Sequence, residues 1–79
     1  MRIEFTTASR KHRLGRAHVR HVMATQEPEE IVTAQGERGW KYVGPDDRGL
    51  ELEVIAVELG GGDLLVIHAM PTALRGKDG

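Results

Sequence analysis

The 79-residue sequence predicts an α+β domain, in which two N-terminal helices pack on one face of a small, mainly antiparallel four-stranded sheet with an extra edge strand at the N-terminus. Helical spacing of apolar residues occurs only before Pro28. Beyond it come short alternating runs separated by Gly, Pro and Asp, and the last of them, Leu64 to Met70, is apolar almost throughout.

Taken in order, Arg2 to Thr6 alternates polar and apolar side chains, as a half-buried edge strand does. Thr7 to about Leu14 reads as a first helix, with Thr7 or Ser9 as its cap and Gly15 as its break. Arg16 to about Thr25 reads as the second. Val19, Val22 and Met23 form its inward stripe, Arg16 and Arg20 stand one turn apart on the outside, and the Pro28 region ends it. Ile31 to Ala34 and Trp40 to Val43 then form a hairpin around Gly36 to Gly39, and Gly44 to Asp47 reverse the chain again.

Leu50 to Leu59 starts in strict alternation and becomes apolar on both sides from Val54 onward, which marks entry into the core. Gly60, Gly61 and Gly62 make a flexible link to the central strand Leu64 to Met70. Period-two alternation places Leu64, Val66, His68 and Met70 on one face of that strand and Leu65, Ile67 and Ala69 on the other. Two short helices cover one side of such a sheet, so the second side is the expected contact surface for a partner protein or a homodimer. A single domain spans 1–79, with 72–79 expected as a flexible tail.

A chain this short builds a thin core. It has no cysteine, so no disulfide or thiolate metal cage reinforces it, and a reducing compartment, the cytoplasm, is expected. No apolar run reaches the roughly 18 to 20 residues of a membrane span, so no membrane partner is expected. The net charge of -1 conceals a separation. Met1 to Thr25 carries six Lys/Arg against Glu4 alone, whereas Gln26 to Asp63 carries ten acids against Arg38, Lys41 and Arg48. Such a division can present a basic face to a phosphate backbone, and it equally describes a solvated helix surface. Arg10, Lys11, Arg13, Arg16, Arg20 and Arg75 are the candidate nucleic-acid contacts.

An acid–base site working without a metal needs a proton acceptor, a proton donor and a cation against developing negative charge. Histidine serves either proton role near neutral pH. His68, in a central strand, and His12, beside Arg10 and Lys11, are the candidates, each weighed against an inert position in core or helix surface. Glu53, between Leu52 and Val54, is a candidate to orient a histidine or act as base, against the commoner outward carboxylate. His18 and His21 are three apart on the second helix, yet neither a cysteine nor an HExxH pattern completes a zinc site, and no metal or other cofactor is expected. Trp40 and Tyr42 share a strand face and either stack a base or pack at the core rim.

The run Arg10-Lys11-His12 resembles the Lys-His-Gly element near the start of BrnT-like toxins, of the RelE/ParE-type toxin superfamily, with Arg13 in place of the glycine. The second half is similar to small actinobacterial proteins related to that family. The matching residues are Gly44-Pro45-Asp46, Gly49, Leu50, Leu52-Glu53-Val54, Val57-Glu58 and Val66-Ile67-His68-Ala69-Met70-Pro71. The last strand departs from the family, since Met70 and Pro71 stand where BrnT-like toxins carry basic residues. The resemblance implies two N-terminal helices on a four-stranded antiparallel sheet, and a ribosome-independent ribonuclease, with RNA as its partner, neutralised by an antitoxin protein encoded beside it; His68, His12 or Glu53 would then take the 2′-hydroxyl proton or supply the leaving oxygen's, with a cation at the phosphate. The bland alternative is a non-catalytic nucleic-acid-binding or protein-interaction module.

Overall fold

The structure, a computed structural model, describes residues 1–75, with side chains through Leu74. One five-stranded mixed sheet carries the molecule. Its strands are β1 (Ile3–Phe5), β2 (Glu29–Val32), β3 (Arg38–Pro45), β4 (Glu51–Glu58) and β5 (Leu64–Pro71), in the spatial order β1-β5-β4-β3-β2. The chain from β2 to β5 is an antiparallel meander, while β1 lies parallel to β5 through Ile3↔Leu64 and Phe5↔Val66. The expected four-stranded antiparallel sheet is therefore corrected to five strands of mixed direction. Local alternation marked β1 as a strand but could not give its direction, which depends on contacts such as the Arg2 N–H donating to Asp63 Oδ1 at 2.9 Å, 61 residues along the chain.

The two expected N-terminal helices are also corrected. Only α1 (Arg16–Thr25) forms, and it lies against β3 and β4. Val19 and Val22 face the sheet, packed with Tyr42, Leu52, Val54, Ala56, Val66 and Ala69, and each large aliphatic group so enclosed contributes about 1.5–3 kcal/mol. The stretch 7–14 instead holds a single 3-10 turn, Ala8–Arg10. It offers no apolar stripe to bury, and its cations at Arg10, Lys11 and Arg13 repel one another, so nothing offsets the cost of nucleating a helix. Thr6, not Thr7 or Ser9, caps the turn: its Oγ1 accepts the Ser9 N–H at 3.1 Å, and Ser9 Oγ donates to the Thr6 carbonyl at 2.7 Å. Arg13 then adopts a left-handed φ of 56° and Gly15 is extended, which separates this segment from α1.

The central strand β5 holds a third correction. A register shift falls between Ile55 and Ala56 of β4, where Ile55 pairs with His68 and Ala56 with Val66, so Ile67 is an extra residue. Such a bulge reverses the faces of everything beyond it. Leu64, Val66 and Ala69 point toward α1, while Leu65, His68 and Met70 point to the second face. That face is not uniformly apolar. Lys41, Glu53 and His68 cross it beside Ile55 and Met70. The expected tail begins with a helical turn, α2 (Thr72–Arg75), anchored by Thr72 Oγ1 donating to Glu51 Oε1 at 2.6 Å, and 76–79 lie outside the described residues. No helix among the described residues is long and apolar enough to cross a membrane.

Candidate active-site cleft

β1 ends at Phe5, opposite Val66, but β5 continues to Pro71. The vacated flank of β5 is taken by the 3-10 turn and the residues after it. Between this segment, the C-terminal half of β5 and α2 opens a cleft of about 510 Å³, lined by Ala8, Lys11, His12, His68, Met70 and Leu74. The fold thus brings His12 and Lys11 to one wall and His68 to the other, from positions more than fifty residues apart in the chain.

His68 is held from behind. Its Nε2 lies 3.0 Å from Glu53 Oε2, and Lys41 Nζ approaches Glu53 Oε1 at 3.5 Å. The register explains the meeting: Lys41, Ile55 and His68 form one row across β3, β4 and β5, and Glu53 stands two residues from Ile55 on the same face. The Glu53 side chain is only 9% exposed, whereas that of His68, a residue of the cleft lining, is 36% exposed. A carboxylate can only accept, so Nε2–H donates to Glu53, and in the neutral imidazole Nδ1 then carries the lone pair. Lys41 was not among the residues singled out from sequence. A lysine between Trp40 and Tyr42 signals only that it faces away from them, and its place beside Glu53 depends on the β3–β4 register.

The other basic residues divide. Arg10, Arg16 and Arg20, with Arg2, line a second groove of about 340 Å³ along β1. Arg20 Nη2 reaches the Ile3 carbonyl at 3.5 Å, and Arg2 lies 3.8 Å from Glu4. Arg13 is exposed and lines neither opening. Arg75 closes α2, and its side chain is outside the described residues. Trp40 and Tyr42 lie on the α1 side of the sheet, away from His68; Tyr42 is buried, which raises its hydroxyl pKa, and Arg38 stacks over Trp40 at 5.1 Å.

His18 and His21 do not converge. His21 is exposed, while His18 Nδ1 meets Asp47 Oδ1 at 2.5 Å and thereby ties α1 to the β3–β4 turn. That hydrogen bond holds the Asp47 carboxyl below its ordinary value. Asp46 lies close enough to complete a three-ligand group with His18 and Asp47. Its oxygens already have partners: Oδ1 accepts the backbone N–H groups of Arg48 at 2.8 Å and Leu50 at 3.0 Å, and Oδ2 accepts Arg48 Nη2 at 2.7 Å. This is a turn clasp.

No family model, curated protein or solved structure matches this chain. The chemistry of the site therefore rests on its own geometry. Two imidazoles and an ammonium group around one cleft, one imidazole oriented by an enclosed carboxylate, can accept a proton, donate another and balance an anion between them.

Proposed function

We propose that this chain is a metal-independent endoribonuclease, the toxin of a type II toxin-antitoxin pair acting in the cytoplasm. The observation that carries the proposal is the meeting of His12, Lys11 and His68 in one cleft, with His68 held by Glu53. In RNA cleavage the 2′-oxygen attacks the adjacent phosphorus and the 5′-oxygen leaves, giving a 2′,3′-cyclic phosphate. One proton is lost and one gained. His68, with Nε2–H directed to Glu53, presents Nδ1 as acceptor for the 2′-hydroxyl proton. His12, from the opposite wall, supplies the proton to the leaving oxygen, and Lys11 offsets the charge that builds on the phosphate. Every role falls to a side chain, so the reaction requires no metal. The resemblance to BrnT-like toxins supports the same reading and adds the antitoxin protein as partner.

The deciding experiment is cleavage of RNA by the purified protein in EDTA. Wild type should cleave and leave a 2′,3′-cyclic end, and His68→Ala and His12→Ala should each lower the rate by about 100- to 10,000-fold. An inactive wild type, or variants as fast as wild type, would sink the assignment. A non-catalytic nucleic-acid-binding module is the second reading, favoured by the arginines along β1. RNA binding unchanged by His68→Ala, from a wild type that never cleaves, would select it.

A further inference from the structure

The groove along β1 is separate from the cleft, yet both share a wall. Ala8, Lys11 and His12 line the cleft, while Arg10, within the same turn, lines the groove together with Arg2, Arg16 and Arg20. Neighbouring Cα atoms are about 3.8 Å apart, so the step from Arg10 to Lys11 is shorter than one extended nucleotide. Glu4 is the one acid in the groove, paired with Arg2. Among the described residues no carboxylate lies within ion-pair distance of Arg10, Arg16 or Arg20. Three guanidinium groups without carboxylate partners around one groove leave their positive charge for an external anion.

We propose that this groove is a subsite for the phosphodiester backbone of single-stranded RNA, continuous with the cleft over the wall 8–12. The inference rests on the ribonuclease reading, for which it supplies the strand that flanks the scissile bond. A single strand fits because its flexible backbone can follow the groove along β1 and then turn across the wall 8–12 into the cleft, whereas a duplex keeps its two backbones on a fixed cylinder. Base identity plays no part, because guanidinium groups facing phosphates carry no sequence information.

The test is binding, read apart from cleavage. A fluorescein-labelled single-stranded oligonucleotide with 2′-O-methyl ribose cannot be cut, and its anisotropy is titrated with protein over a range of KCl concentrations. Arg10→Gln/Arg16→Gln should weaken binding by at least about tenfold and lower the slope of log affinity against log salt by about 1.4, the value for two lost phosphate contacts on a single strand. Arg38→Gln removes a charge near the opposite edge of the sheet, where Arg38 on β3 pairs with Glu30 on β2, and should leave the slope unchanged. Circular dichroism melts matching wild type establish that the double variant is folded. Equal affinity and slope for the double variant and wild type overturn the subsite, as does a groove that takes a poly-glutamate peptide in preference to the oligonucleotide. Arginine-dependent binding by a protein that never cleaves RNA supports the subsite while ending the ribonuclease reading. Cleavage by wild type with binding indifferent to Arg10 and Arg16 does the reverse.

Discussion

At the scale of single residues, Glu53 and Asp46 are enclosed carboxylates with different work. Glu53 is shared between Lys41 and His68 and sets the imidazole facing the cleft. As a positioning residue it should affect the chemical step more than binding. In the ribonuclease proposed above, Glu53→Gln is expected to lower kcat on the order of 100-fold or more, with KM within a few-fold of wild type, as when the carboxylate behind a catalytic histidine is made an amide. An equal change in kcat and KM, or a melting temperature that falls with the activity, would assign Glu53 a structural part instead. Asp46 belongs to the fold. Burial works against its charge, but hydrogen bonds from the Arg48 side chain and from the backbone N–H groups of Arg48 and Leu50, with the Arg48 charge, hold its pKa down at about 2, below the ordinary 3.8. A folded value below the unfolded one stabilises the folded state fully above the unfolded pKa, and that stabilisation fades as pH falls through the folded value. The melting temperatures of wild type and Asp46→Asn should therefore differ at pH above about 4 and converge toward pH 2. A gap that stays constant across that window would disprove the linkage.

At the scale of elements, the β4–β5 connection and the bulge that follows it decide where His68 points. Gly61 and Gly62 hold left-handed φ values of 79° and 84°, with open space where a Cβ would stand. Any penalty for alanine there comes from the backbone alone. Gly61→Ala and Gly62→Ala should each cost about 1–2 kcal/mol in urea unfolding. A neutral result would mean that the loop adopts another conformation. A few residues further on, the extra Ile67 gives β5 two faces that a uniform alternation would not produce. Without it, His68 would follow Val66 into the space beneath α1, far from Glu53. The 3-10 turn matters equally. A full helix over 7–14 would have a different set of side chains facing β5, whereas one turn puts Arg10 on the groove side and Lys11 and His12 on the cleft side.

For the whole molecule, a thin core is the governing fact. A chain of this length has about 4–12 kcal/mol of stability to lose, and Leu52, fully enclosed between α1 and the sheet, holds a large share of it. Leu52→Ala should cost about 2–5 kcal/mol and leave the protein partly unfolded at physiological temperature. A loss under about 1 kcal/mol would indicate that the core collapses around the gap. The charge separation seen along the chain also becomes spatial. Arg2, Arg10, Arg16 and Arg20 gather along β1 at one end of the sheet, and Glu29 and Glu30 lie on β2 at the other. The molecule is polarised from edge to edge, with both openings at the basic end.

The α+β class, the helix from Arg16 to Thr25 with Val19 and Val22 inward, and the strands around Leu52 and Val66 were legible in the sequence, because the spacing of apolar side chains reports which face of an element is buried. The sequence also pointed to His12, His68 and Glu53, since their chemistry is a property of residue type. Only the folded sheet shows that β1 runs parallel to β5, that Ile67 is a bulge, and that Lys41 stands beside Glu53. Each of these depends on pairing between segments distant in the chain. That pairing is settled by the packing of the whole sheet against one helix, and a local pattern of side chains carries no record of it.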